Sequence, residues 1–192
     1  MSRLRKTTAP LLVALWLLGR AARADISVPV GLQAHLVEKI SAFDRNFAAR
    51  GGGNVRVLVV ENSSDNESVD VGSQFASALA GIRKVAGMDA QIDALPFTTA
   101  AVLAERCRAQ HVSLVFLSTN LEREMGAIAS SLSGVDVLTV GATAAYATRG
   151  TVVGFDLEEG KPRIVLNLAR AKAQNVSFRA ELLKLSRLVT SD

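Results

Sequence analysis

The chain has 192 residues, 49% of them hydrophobic and only 5% aromatic, with 22 basic residues against 18 acidic ones and a single cysteine. That length and apolar content are enough to bury one full core without disulfides or metals, so one domain is expected. The basic excess is local: five basic residues and no acidic one stand in the first 24 positions, leaving 17 against 18 elsewhere, which excludes a nucleic-acid-binding field.

Arg3, Arg5 and Lys6 precede an apolar run from Ala9 to Gly19, and Ala22-Arg23-Ala24 has the small-x-small pattern of a cleavage site. The expectation is a secretory signal peptide over 1–24 and a single mature domain over 25–192. The apolar run is shorter than the roughly 20 residues that span a bilayer, and no cysteine at the cleavage point could carry a lipid. Next, Leu32, Leu36, Ile40, Phe43 and Phe47 recur at three- and four-residue steps, the spacing of a helix that Gly51-Gly52-Gly53 stops. Arg56-Val57-Leu58-Val59-Val60 is nearly continuous in apolar residues, the pattern of a strand buried on both faces of a parallel sheet. A polar loop from Glu61 to Glu67 leads to a helix carrying Phe75, Leu79 and Ile82. A weak strand near Ala90 to Leu95, a helix from Thr98 to Arg108, a strong strand over Val112 to Leu117 and a helix from Leu121 to Leu132 follow.

The last third begins with a strand at Val137 to Gly141 and continues through a loop holding Tyr146, Arg149 and Gly150. A hairpin comes next, with Val153, Phe155 and Leu157 on one face of its first arm and Ile164, Leu166 and Leu168 on one face of its second. Gly160 supplies the reversal and Pro162 opens the return strand, where a missing N–H is tolerated. An Ala/Arg/Lys-rich segment then leads to Asn175 and Ser177 as cap residues of a helix carrying Phe178, Leu182, Leu185 and Val189. Strands alternating with helices and ending in a hairpin describe a three-layer α/β fold, mainly parallel, with an antiparallel C-terminal hairpin and flanking helices.

Catalytic chemistry is not written in the chain. The triple glycine precedes a strand instead of following one, and the turn after that strand carries Glu61, Asp65, Glu67 and Asp70, which repel a phosphate. Those acidic residues lack the glycine and terminal glutamate of an EF-hand loop and read as a solvated, helix-capping stretch. His35 and His111 have no ligand at metal spacing. Ser118-Thr119-Asn120 reads as a cap group, since no Gly-x-Ser-x-Gly elbow is present. Cys107, alone, cannot close a disulfide within the chain and reads as a small core residue. Arg149 and Gly150 stand in a loop at a strand end, where α/β sheets place binding residues. Asn167 ends a strand, where it can cap the segment from Leu168. The expectation is therefore no catalytic residue, no metal site and no cofactor.

The order Leu138-Thr139-Val140, Tyr146-Ala147-Thr148-Arg149-Gly150, Ile164-Val165-Leu166-Asn167-Leu168 and Leu182-Leu183-Lys184-Leu185 resembles the C-terminal part of the YfiR family of exported bacterial proteins. It departs from that family at Thr151, where a second glycine is usual, and at Val165, where an acidic residue is. The N-terminal half lacks the aromatic and Trp-Pro landmarks often seen there. The resemblance implies a periplasmic, non-enzymatic repressor that binds the sensory domain of an inner-membrane diguanylate cyclase, lowering cyclic di-GMP and restraining biofilm growth. It also implies a partner-binding surface on the hairpin and the segment after it, for which Arg149, Gly150, Phe155, Asn167, Leu168 and Phe178 are the candidates. The disulfide-dependent regulation known in some members has no intramolecular counterpart here. Homodimerisation through an open sheet edge is a further expectation. The alternative reading is a periplasmic small-molecule-binding domain serving a transporter or sensor kinase, with its pocket at the C-terminal strand ends.

Overall fold

The computed structural model of the protein describes residues 26–190, and the expected signal peptide lies outside them. In chain order the helices and strands are α1 (Val30–Phe43), α2 (Phe47–Gly51), β1 (Val55–Glu61), α3 (Asn66–Ile82), β2 (Lys84–Val85), β3 (Met88–Pro96), α4 (Ala100–Ala109) and β4 (Leu114–Leu117). They continue as α5 (Met125–Ser131), β5 (Leu138–Gly141), α6 (Ala144–Arg149), β6 (Val153–Glu158), β7 (Lys161–Asn167), α7 (Leu168–Ala173), α8 (Ala180–Leu185) and β8 (Arg187–Val189). The strands form one eight-stranded sheet in the order β2-β3-β1-β4-β5-β6-β7-β8. Its centre, β3-β1-β4-β5-β6, is parallel, while β7 returns antiparallel to β6. The three-layer α/β expectation with an antiparallel hairpin is met.

The continuous apolar run in β1 serves two cores at once. Val55, Val57 and Val59 point into one, with α1, α3 and the segment that ends in α8, while Leu58 and Val60 point into the other, with α4, α5 and Tyr146 of α6. Alternate residues of a strand face opposite sides, so a strand between two helical layers must be apolar throughout. Phe75 of α3 stacks on Phe116 of β4 with ring centroids 3.7 Å apart, which fixes α3 across the sheet.

Several elements differ from the expectation. The first helix ends at Phe43, and Asp44-Arg45-Asn46 breaks it before α2. Its buried face is Gln33, Ala34, Val37, Ile40 and Ser41, while Leu32 is 39% exposed. Gln33 is drawn inward because its amide donates to the carbonyls of Val28 and Ala142. The loop after β5 is a helix, α6, and the Ala/Arg/Lys-rich segment is α7, capped by Asn167 as expected. The helix expected to run to Val189 stops at Leu185, since Ser186 is extended and Arg187–Val189 pairs in parallel with Val165–Asn167. Asn175 and Ser177 do not cap it: Arg179 occupies the N-cap position of α8, without a side-chain bond. Ser118 and Asn120 do not cap α5 either. The Ser118 hydroxyl donates to the Ser68 carbonyl and the Asn120 amide to the Asp65 carboxylate, tying the end of β4 to the start of α3.

Close packing around α6 dictates glycines. A Cβ on Gly141 would run into the Tyr146 side chain, and one on Gly154 would sit 2.6 Å from the Thr143 carbonyl oxygen. Overpacking against backbone cannot relax by a side-chain rotation. Gly154→Ala is therefore expected to lower the free energy of unfolding by about 1–3 kcal/mol. Gly126→Ala, whose Cβ meets nothing within 4 Å, is expected to be neutral or slightly stabilising; urea melts of the two variants check both signs.

Candidate functional site

The candidate surface is built where the chain leaves β7. Asn167 is fully buried and divides its amide between two neighbours: its nitrogen donates to the Ala147 carbonyl of α6 at 2.8 Å, and its oxygen accepts from Arg170 N–H at 3.0 Å. It thus fixes α7 against α6 and leaves Leu168, the next residue, 40% exposed. Leu168 and Phe178 line one groove of about 340 Å³ between α7 and α8, with Val176 and Leu183 completing its apolar floor and Asn46 and Lys172 on its rim.

The other candidates are placed differently. Arg149 is exposed at the end of α6, so it is available to a partner. Gly150 is buried against α5, where a Cβ would sit 2.6 Å from that of Ala129. Phe155 is 1% exposed and belongs to the core under the hairpin, where it supports the surface without touching a partner. The structure brings Leu168 and Phe178 together, with Asn167 beneath them.

One residue outside that set organises the groove. Arg50, at the end of α2, has a side chain only 2% exposed and bonds Asp44 at 2.8 Å, Asp136 at 2.6 Å and the Asn175 carbonyl at 3.1 Å. The fully buried Asp44 carboxylate also accepts from the Ser177 and Asn46 N–H groups, at 2.9 and 3.1 Å. Backbone bonds Arg45 N–H to Ser177 O and Arg179 N–H to Phe43 O complete the clasp. The break between α1 and α2 is thereby pinned to the linker that forms the groove wall. Asn175 there has φ 54°, a left-handed conformation that Asn tolerates better than other non-glycine residues. The polar break Asp44-Arg45-Asn46 inside an apolar helical pattern is the sequence signal that points to this clasp.

Two groups able to act as nucleophiles, Cys107 and Tyr146, are buried. Cys107 is 2% exposed, and burial pushes its thiol up to about 12 despite the neighbouring Arg108. Tyr146 is fully buried, and desolvation, with the nearby Glu122 charge, raises its hydroxyl above the usual phenol range, while the hydroxyl accepts from Leu121 N–H at 2.8 Å. Among the described residues, no group of three or more His, Cys, Asp and Glu side chains comes close enough to hold a metal ion. Nor is any helix among them long and apolar enough to cross a membrane.

A family model described as YfiR/HmsC-like matches residues 32–187. The likeness is therefore not confined to the C-terminal third: it runs from α1 into β8, although the N-terminal half lacks the family's aromatic landmarks. No curated protein matches by sequence. Among solved structures, an ABC domain from Streptococcus pneumoniae in complex with L-Trp is similar at TM-score 0.59 and 11% identity, over 84% of this chain and 62% of that one. A conserved domain protein from Vibrio cholerae (0.56, 14%, 85% and 60%) is similar too. So is a substrate-binding protein with adhesive properties from Clostridium difficile (0.56, 13%, 86% and 60%). At these identities the likeness is one of fold, and the chain spans about three fifths of the length of those proteins.

Two measurements follow from the geometry. Arg50→Ala leaves the buried Asp44 carboxylate without its counter-charge and is expected to cost about 3–5 kcal/mol in denaturant unfolding, with Asp44→Ala/Arg50→Met together costing less than Arg50→Ala alone. Cys107 is expected to resist a thiol reagent at pH 8 in the folded protein and to react at once in urea, since the thiolate, not the thiol, attacks; native reactivity should rise only as pH approaches 12.

Proposed function

This chain belongs to the YfiR/HmsC-like family, and on that footing we propose that it is a non-enzymatic periplasmic regulator that binds the sensory domain of an inner-membrane diguanylate cyclase and holds the enzyme inactive. The observation that carries the reading is the groove at Leu168 and Phe178, where apolar side chains meet Asn46, Lys172, Asn175 and Ser177. Beyond the groove, Leu185 and Leu188 on the α8–β8 segment are 65% and 49% exposed, an unusual outlay of large side chains in solvent for so short a stretch. β8 is the last strand of the sheet and has one free edge of backbone N–H and C=O groups.

The groove alone is too small to be the whole contact. A specific interface buries about 800 Å² on each partner, so the groove serves as an anchor pocket and the exposed α8–β8 segment extends the contact. Regulation then needs only a difference in affinity between the active and inactive states of the cyclase domain. Holding it inactive lowers cyclic di-GMP, and release raises it. Dimerisation through β8 would compete for the same edge, so the free protein and the complex would differ in oligomeric state.

Crosslinking in cells followed by capture of the tagged protein from the cell envelope tests this. A membrane diguanylate cyclase is expected among the captured proteins. Its recovery should fall at least about tenfold on Leu168→Glu and less on Arg149→Glu, with unchanged melting temperatures for both, since a charge placed in an anchor pocket is heavily penalised. Capture of transporter or sensor-kinase components alone, or of nothing, overturns the reading.

A further inference from the structure

We propose that a second site, at the other end of the sheet, binds a small organic ammonium compound with an apolar body. The C-terminal ends of β1, β3 and β4 surround a crevice of about 580 Å³, a size typical of small-molecule sites. It lies where the chain order reverses, since β1 is flanked by β3 on one side and β4 on the other. Open α/β sheets place ligands at such a point, outside the carboxyl ends of the strands, because the two following connections diverge there.

The floor is already rigid. Asn62 donates to the Asn120 carbonyl at 3.2 Å, Asn120 donates to the Asp65 carboxylate at 2.7 Å, and that same oxygen accepts from Ser68 N–H at 2.8 Å. Asn120 is held at φ 59°, and the residue before it, Thr119, keeps a fully buried hydroxyl with no partner. The walls are Phe97, half buried on the link from β3 to α4, and the Glu122–Glu124 turn on the link from β4 to α5.

Charge selects the ligand class. Asp65, Glu122 and Glu124 line the crevice against a single guanidinium, that of Arg123, so an anion is repelled. A divalent metal is a poor fit as well, because Asp65 already accepts two hydrogen bonds through one oxygen and, among the described residues, no three His, Cys, Asp or Glu side chains converge to hold one. A single positive charge needs less. An ammonium bonded to Glu122 and Glu124 places the rest of the molecule on the Phe97 ring, which welcomes both an apolar body and a cation.

This site stands apart from the partner surface, so its test does not depend on any cyclase. Calorimetry on the purified protein at low salt uses phenethylamine as the probe and phenylacetate, of similar shape and opposite charge, as its control. Saturable binding of the amine is expected, weakening as salt is raised, with phenylacetate at least about tenfold weaker. Glu124→Gln should weaken the amine roughly tenfold and Arg123→Gln should tighten it, since both side chains are exposed and neither supports the fold. Equal binding of amine and acid, an amine affinity indifferent to both substitutions, or no saturable binding up to about 1 mM overturns the proposal.

Discussion

The buried pair of Asp44 and Arg50 is the constraint on which the C-terminal surface depends. Three stretches far apart in sequence meet at it: the α1–α2 break, Asp136 before β5, and the Asn175–Ser177 linker. Every polar partner in the clasp is spoken for, which is the condition under which a buried ion pair is tolerable at all, because desolvating both charges otherwise costs more than their attraction returns. Its value lies less in net stability than in exclusivity. An apolar substitute could fill the volume, but it could not hold the Ser177 N–H and the Asn175 carbonyl in the positions that shape the groove wall.

The sheet explains why the groove lies where it does. β6 pairs with β5 only at Val153, opposite Val140, so the hairpin arms run on past the end of β5 and carry the antiparallel return to the outer side. β7 then delivers Asn167, α7 and the groove to the same end of the sheet as the clasp. The acidic crevice occupies the opposite end. The two ends of the sheet therefore present different chemistry, a groove mixing apolar side chains with neutral and basic ones at one end and an anionic crevice at the other.

Much of the fold was legible because its signals are physical rather than statistical. Runs such as Val57 to Val60 and Val112 to Leu117 admit no other placement than the middle of a two-sided sheet, and the hairpin declares itself by alternation and Gly160. What was not legible depends on distant contacts. Leu32 looked like a core residue by size, yet the buried face of α1 is chosen by Gln33, whose amide finds the Ala142 carbonyl over a hundred residues away. Arg187–Val189 continues a helical pattern and becomes a strand only because β7 offers an edge, a tertiary override of local preference. Arg50 stands before three glycines with no local signal of its own, and its role comes only from Asp44 and Asp136, which close on it. Of the candidate site, Leu168 and Phe178 were within reach as apolar residues beside a strand end. Phe155 was not separable from them, because the alternation that identifies a hairpin does not say which face a helix will cover.

A single short helix joins the two ends. The Tyr146 hydroxyl of α6 accepts from N–H of Leu121, which lines the crevice, while the carbonyl of Ala147, one residue on, accepts from Asn167, the residue before Leu168 of the groove. Gly141 and Gly154 press α6 so closely from either side that it has little room to shift alone. A closely packed element of this kind responds to a load at one end by moving as a body or not at all. A cation held by Glu122 and Glu124 would load the turn whose Leu121 N–H holds Tyr146, so one helix and two hydrogen bonds connect the crevice to Asn167 and Leu168. That is the geometry a regulator requires, since a signal can alter a protein–protein affinity only if the two sites share an element whose arrangement both of them bias.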